Sequence, residues 1–176
     1  MSFVALPDGK TVTLDASVSS FLKCGIVLIE DVKISDGDKI QLEILEFSKT
    51  LETMFANLKP SEIPGLAEAR KLYRHAGMDP TRTRPSSEAL LRRVLKGKDL
   101  YQISNAVDMC NLASLEFLLP IGMYDYQKID GDITLRIGST GEQYAGIRKG
   151  PVHIHNRLAL FDGSGGFGSP TSDSLR

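Results

Sequence analysis

Helical spacing of apolar residues fills the middle of this chain, and strand-like patterns lie before and after it. Residues that typically end helices interrupt this pattern. Pro60 and Pro120 cannot continue a helix, and Gly77 and Gly97 allow the left-handed turn that often closes one. The pattern predicts four helices, over 40–58, 63–75, 86–95 and 104–115, with a turn and helix start at 35–38 and a loop at 78–85.

Strand signals flank the helical region. The continuous apolar run at 24–29 predicts a buried strand, and Thr11–Leu14 predicts a short strand or an N-terminal arm. After the helices, Ile133–Ile137 alternates as a strand does, 143–147 is expected to pair with it, and 152–161 predicts a further strand. A strand, several helices and then mostly strands predict an α+β (mixed α/β) fold, with helices packed on a mostly antiparallel sheet.

Composition indicates a soluble globular protein of one domain. With 176 residues the chain can bury a sizeable core, and its 41% hydrophobic and 24% charged residues are ordinary for such proteins. We expect no membrane span and no secretory leader, because no apolar run is long enough and the first residues lack a leader pattern. Cys24 and Cys110 share no metal spacing, so we expect buried thiols in a reducing, cytoplasmic compartment.

Basic residues are concentrated between Arg70 and Lys98. This stretch carries nine Lys or Arg against only Asp79 and Glu88, although the formal net charge of the whole chain is -1. This nearly neutral net charge argues against a protein that coats nucleic acid through its whole surface, but it is compatible with a local basic groove. A solvated helix face with ion pairs to the two acids is the alternative interpretation. Because a guanidinium binds phosphate through two hydrogen bonds, five arginines are candidate RNA contacts: Arg74, Arg82, Arg84, Arg92 and Arg93.

Several sequence pieces follow one another in an order that resembles a known family. They are Arg74 with Gly77-Met78-Asp79-Pro80, Pro85-Ser86 with Glu88-Ala89-Leu90, Val107-Asp108 with Asn111, Tyr124-Asp125, Leu135-Arg136 and Gly141-Glu142. Over roughly 60–176 this order resembles the B3/B4 domain of the phenylalanyl-tRNA synthetase β subunit, and especially free-standing proteins that carry this domain without a synthetase. The resemblance implies a tRNA-associated domain. In the synthetase, the domain hydrolyses mischarged tyrosyl-tRNA in a pocket that residues 111–125 would line here.

The chain departs from the family pattern in two places. Where the synthetase pattern has a histidine shortly before its Phe-Asp pair, this sequence has Gly122. The family also continues for a strand and a helix beyond the piece that matches 173–176, so we expect a domain truncated at its C-terminus. Both departures bear on catalysis more than on binding.

Asn111, Ser114 and Glu116 follow a helical apolar stripe and are candidates to face a pocket. An ester between an amino acid and ribose is already reactive, so its hydrolysis needs positioned water and polar groups more than a strong nucleophile. We interpret Asn111 as a residue that fixes a carbonyl or amine, and Glu116 as one that holds the ammonium group or orients water. A cap or a buried bond to the backbone is the alternative for Asn111. Asp108 and Asp125 are interpreted as residues that hold loops.

Glu142 is a candidate site carboxylate, and a turn residue is the alternative. His153 and His155 alternate on a predicted strand and would face one side. No Cys or carboxylate spacing supports a metal site formed by them with His75, so we expect neither a metal nor a cofactor. The glycine- and serine-rich tail is predicted to be a flexible loop whose only core residue is Phe167.

Three hypotheses follow from these residues. In the first, residues 1–176 form a single B3/B4-like domain that binds tRNA or aminoacyl-tRNA and hydrolyses mischarged aminoacyl-tRNA in trans. In the second, a non-catalytic module holds an amino acid, a nucleotide or a partner protein in the same pocket. In the third, the chain is a fragment whose exposed edge strand leads to a homodimer or to aggregation.

Overall fold

The computed structural model describes residues 2–36, 38–147 and 150–176. Over these residues the helices are α1 (Asp38–Phe55), α2 (Pro64–His75), α3 (Ser86–Val94) and α4 (Asn105–Phe117). The strands are β1 (Ser2–Ala5), β2 (Thr11–Leu14), β3 (Ile133–Ile137), β4 (Gln143–Ala145), β5 (Pro151–His153), β6 (Leu158–Asp162), β7 (Gly165–Ser169) and β8 (Ser172–Asp173). The predicted α+β class is confirmed. None of the helices in the described residues is long and apolar enough to cross a membrane.

Two compact units share the chain, which passes between them four times. The first unit comprises Met1–Cys24, Leu72–Thr83 and Gly122–Arg176, and contains all the strands. The second comprises Gly25–Lys71 and Arg84–Ile121, and contains α1, α3, α4 and most of α2. Helices and strands are therefore largely segregated along the fold.

The first unit is built on a sheet of six strands in the order β1-β2-β3-β6-β7-β8. Only β2 and β3 are parallel, so the sheet is mostly antiparallel, as predicted. Alternation along the strands sends Val12, Leu135 and Phe167 into one buried cluster. Tyr73, at the end of α2, is fully buried in the same cluster, so one helix end packs against the sheet.

The second unit has its own apolar core. Ile44 of α1, Leu66 of α2, Leu91 of α3 and Leu115 of α4 meet in one buried cluster. Each helix contributes residues three or four positions apart, which places one apolar stripe on each helix surface. This periodicity is why all four helices were predictable from the sequence.

Helix ends follow the predicted signals. Gly77 after α2 and Gly97 after α3 adopt left-handed backbone angles, with φ of +73° and +62°. Ser104 caps α4, because its Oγ accepts a hydrogen bond of 3.4 Å from the backbone N–H of Val107. The turn predicted at 35–38 includes residue 37, which lies outside the described residues.

The predicted strand at 24–29 is wrong. These residues have no regular secondary structure, and the side chain of Val27 is 82% exposed. A β-branched run becomes a strand only where a neighbouring strand offers backbone hydrogen bonds, and no described strand pairs with it. The predicted burial of both thiols is also wrong, since Cys24 is exposed and Cys110 is half-buried.

Strand pairing after residue 137 differs from the prediction. The region 152–161 is not one strand, since β5 ends at His153 and β6 begins at Leu158, with Asn156 at a φ of +55° between them. Consequently β4 pairs with β5, while β3 pairs with β6. His153 and His155 therefore do not alternate on one strand.

The glycine-rich tail is an ordered part of the sheet, which corrects its prediction as a flexible loop. It forms β7 and β8, and the prediction that Phe167 is a core residue is confirmed. Small residues suit this position, because a side chain at Gly168 would collide with the ring of Tyr124.

We expect Phe167→Ala to lower the free energy of unfolding by about 3–5 kcal/mol, because the ring is 1% exposed and its loss leaves a cavity in the first unit. Phe3→Ala, which truncates a ring that is 67% exposed on β1, is the matched control and should cost far less. Urea unfolding of both variants measures the difference. Equal costs for the two would contradict the burial of the tail.

Candidate functional site

Three arginines of the second unit surround the buried carboxylate of Glu88, which lies in the first turn of α3. Nη1 of Arg70 lies 2.9 Å from both carboxylate oxygens, and Nε of Arg92 lies 2.8 Å from Oε1. Nε of Arg84 lies 3.6 Å from the same oxygen. Arg92 lies one helical turn after Glu88 on α3, which explains its contact, whereas Arg84 reaches the carboxylate from the loop before Pro85.

The same segment exposes an excess of positive charge. Residues 84–98 carry five Lys or Arg and one acid, Glu88, which is fully buried. The next acid, Asp99, belongs to the loop that follows. Lys96 and Lys98 are exposed, while Arg84 and Arg92 are 42% and 37% exposed. The solvent-facing charges of 84–98 are therefore all positive.

Arg93 is held by a neighbouring aromatic side chain. Its Nε donates to the backbone oxygen of Asp99 at 2.6 Å, and its guanidinium carbon lies 4.0 Å from the ring centroid of Tyr101. This cation–π contact leaves Tyr101 largely exposed. A charged group beside an exposed ring is the combination that single-stranded RNA binds by stacking.

The other two arginines predicted to bind RNA belong to the first unit. Arg74 is exposed on the last turn of α2. Arg82 is 89% exposed and lies 3.9 Å from the carboxylate of Asp79. The ion pairs of the alternative interpretation, to Asp79 and Glu88, are therefore present, and RNA contact by the five arginines stays a prediction.

Asn111 and Glu116 both lie on α4 of the second unit but differ in environment. Asn111 is half-buried, and Glu116 is exposed near the C-terminal end of the helix. Five positions on an α-helix turn a side chain by about 140°, so the two do not share a face. Ser114 closes the helix end instead of facing a pocket, because its Oγ donates to the backbone oxygen of Leu119 at 2.6 Å.

The carboxylates of Asp108 and Asp125 accept hydrogen bonds from nearby backbone N–H groups and so fix the local backbone, as predicted. The fully buried carboxylate of Asp108 accepts hydrogen bonds from the backbone N–H of Ile103 at 3.1 Å and from the side chain of Gln41 at 3.0 Å. Asp125 caps a short 3-10 helix by accepting from the backbone N–H of Gln127 at 3.1 Å. Neither carboxylate needs a catalytic role to explain its position.

Glu142 of the first unit forms a two-point ion pair with Arg136. The two side chains meet through contacts of 2.6 and 2.8 Å, and the guanidinium of Arg136 also lies over the ring of Phe161. The hydrogen bonds from Arg136 lower the pKa of Glu142 to about 2. A carboxylate with so low a pKa is a weak base, so this geometry favours the turn-residue interpretation.

The position of Gly122 is crowded by two polar side chains of the first unit. The hydroxyl of Tyr124 donates to Oδ1 of Asp173 at 2.7 Å. A Cβ atom at residue 122 would lie 2.7 Å from that hydroxyl and 3.0 Å from Oδ1. Burial raises the pKa of Asp173. The histidine of the synthetase pattern would therefore fit here only if Tyr124 moved.

Among the described residues, no group of three or more His, Cys, Asp or Glu side chains is placed to hold a metal ion. His75 lies against the ring of Phe21, and His155 lies 3.3 Å from the hydroxyl of Thr140. These contacts explain the positions of two of the three histidines without a bound metal ion.

Sequence reasoning missed the central position of Glu88 and the part played by Arg70. The spacing of Glu88 and Arg92 by four residues was the available signal, because it predicts an ion pair along one helix face. Arg70 is 18 positions away from Glu88, and only the packing of α2 in the second unit brings it near. The pair of Tyr124 and Asp173 gave no signal, since 49 residues separate them.

Comparison with known proteins identifies the family of this chain. The family model described as the B3/4 domain matches residues 68–167, which is more than half of the 176 residues. The chain therefore belongs to the B3/4 domain family, and the resemblance to the B3/B4 domain of the phenylalanyl-tRNA synthetase β subunit is confirmed. No curated protein and no solved structure matches the chain.

The ion pair of Glu142 predicts a specific dependence of stability on pH. Its folded-state pKa of about 2 lies below the ordinary 4.5, so the stabilisation is fully present above pH 4.5 and is lost as the pH falls toward 2. We expect Glu142→Gln to lower the free energy of unfolding by about 1 kcal/mol at pH 7 and by progressively less below pH 4.5. Urea unfolding at several pH values measures this loss.

A double-mutant cycle supplies the control for this prediction. In an Arg136→Gln background, Glu142→Gln should change the pH dependence much less, because the ion pair is gone and the hydrogen bond from the backbone N–H of Ser139 remains. A pH-dependent loss of undiminished size in this background would show that the pair is not its cause.

Proposed function

We propose that residues 1–176 act as one B3/4-type domain that binds tRNA, and in particular its aminoacylated form. The observation that carries the proposal is the surface of 84–98, whose solvent-facing charges are all positive because Glu88 is buried. Family membership supports it, since the domain is associated with tRNA-related function.

Binding of this kind needs several cations and little fine geometry. Each phosphate that a Lys or Arg neutralises releases condensed counterions, which is why affinity for nucleic acid falls steeply with salt. The candidate contacts in the second unit are Arg84, Arg92 and Arg93, together with Lys96 and Lys98. In the first unit they are Arg74 and Arg82.

Hydrolysis of the aminoacyl ester in trans is the further step of the proposal. We assign it to Asn111, which would fix the carbonyl or amine, and to Glu116, which would hold the ammonium group or orient water.

A binding-only function is the second candidate, and two observations favour it. Glu142 is engaged by Arg136 and is a weak base, and the space beside Gly122 is taken by Tyr124 and Asp173. In this candidate the protein holds aminoacyl-tRNA, a nucleotide, an amino acid or a partner protein without breaking a bond.

We expect tRNA binding to weaken steeply with salt, and Lys96→Ala/Lys98→Ala to weaken it further while lowering the slope of log K against log salt by about 2. Fluorescence anisotropy with labelled tRNA at several salt concentrations measures both effects. Lys49→Ala, which removes an exposed charge from α1, is the control and should leave the slope unchanged. A slope near zero for the unmodified protein would refute the RNA proposal.

Ester hydrolysis is tested with tyrosyl-tRNA specific for phenylalanine and with a panel of other mischarged tRNAs, by following release of the amino acid. We expect Asn111→Ala or Glu116→Ala to slow release by about 100-fold, the usual scale for losing one positioned polar group. Glu46→Ala, at an exposed carboxylate on α1, is the matched control for Glu116→Ala.

The result of that assay separates the two candidates. Release that depends on α4 supports hydrolysis in trans. No release by a protein that still binds tRNA supports the binding-only candidate.

A further inference from the structure

The cluster around Glu88 contains more positive charge than its own carboxylate can balance. Arg70, Arg84 and Arg92 all point at one carboxylate, and arginine stays protonated in proteins. Three guanidinium groups and one carboxylate leave an excess of two positive charges. Like charges held this close repel one another, and an additional anion would offset the repulsion.

The guanidinium groups also retain donors that Glu88 does not use. Nε of Arg70 and Nε of Arg84 are shielded from solvent and have no acceptor among the described residues. An unmet donor in such a place is unfavourable, and an acceptor that reached it would remove this cost. The cluster is thus short of acceptors as well as of negative charge.

The cluster is accessible from solvent on one side. Arg70 is nearly buried and anchors Glu88, whereas the side chains of Arg84 and Arg92 are about two-fifths exposed. The neighbouring start of α3 has no side-chain cap, because Pro85 precedes it. A helix start adds partial positive charge to the same place, although it would not make a site without the arginines.

We infer that Arg84 and Arg92, oriented by Glu88 and Arg70, form a binding site for one phosphate group. The planar guanidinium fork matches phosphate oxygens at two points, which the flexible ammonium of lysine does not. The inference rests on the proposed function for the identity of the ligand, a backbone phosphate of RNA, while the chemistry of the site applies equally to inorganic phosphate.

The first measurement uses inorganic phosphate and the whole chain. We expect sodium phosphate to raise the melting temperature above that in sodium chloride of equal ionic strength, by about 2–4 °C. Phosphate also stabilises proteins generally by exclusion from their surface, so the specific part is the difference between unmodified protein and variant.

The variant Arg84→Lys/Arg92→Lys keeps both charges beside Glu88 but removes the guanidinium forks, so it should fold and lose the specific shift. Lys49→Ala should keep it. The second measurement is tRNA binding by anisotropy, in which we expect the double variant to bind about tenfold more weakly. A specific phosphate shift that survives in the double variant would overturn the inference, as would unchanged tRNA affinity in that variant.

The two measurements separate this inference from the proposed function. If the double variant binds tRNA as tightly as the unmodified protein, the phosphate site is wrong and the RNA-binding function stands. If inorganic phosphate gives the specific shift but tRNA does not bind, the anion site stands and the RNA-binding function is wrong.

Discussion

An ionised carboxylate can stay out of contact with water only if nearby positive charge compensates it, and Glu88 is fully buried. Arg70 from α2 and Arg92 from α3 provide that charge at 2.8–2.9 Å. Removal of one partner from such a pair commonly costs about 3–5 kcal/mol, because the other charge is left uncompensated. Helices α2 and α3 are thereby linked at one point in the second unit, whose apolar core includes Leu66 and Leu91.

The same constraint gives the surface of α3 its character. Because its only acid is directed inward, the outward charges of 84–98 are all basic. A helix with the same composition but an exposed glutamate would present mixed charges and little field. The ion pairs of the buried Glu88 therefore both link two helices of the second unit and underlie the proposal of RNA binding, and a substitution of Glu88 would alter both at once.

The helices were predictable from the sequence because their signals are local. Apolar spacing, Gly77, Gly97 and Ser104 are each read within a few residues, and all four helices lie where they were expected. Strands depend on partners that are distant in sequence. The run at 24–29 has the composition of a strand but pairs with no described strand, whereas the glycines of β7 have a poor composition for a strand but pair with both β6 and β8. The prediction of one strand over 152–161 was wrong for a further reason. Asn156 has a left-handed backbone conformation, which interrupts the extended chain between β5 and β6.

The candidate site shows the same division between local and distant signals. The arginines and Asn111 were found from residue type and pattern, but the ion pair that occupies Glu142 and the hydroxyl beside Gly122 come from tertiary packing. These contacts bear directly on mechanism. The proposed RNA binding requires accessible positive charges, and the Lys and Arg side chains of 84–98 provide them without any rearrangement. Glu142, with its pKa of about 2, is too weak a base to take a proton from water. The proposed hydrolysis would therefore depend on α4, where Asn111 and Glu116 lie on different faces. In the proposed hydrolysis the two side chains would therefore act from different faces of α4, each on its own part of the ester, and not as a hydrogen-bonded pair.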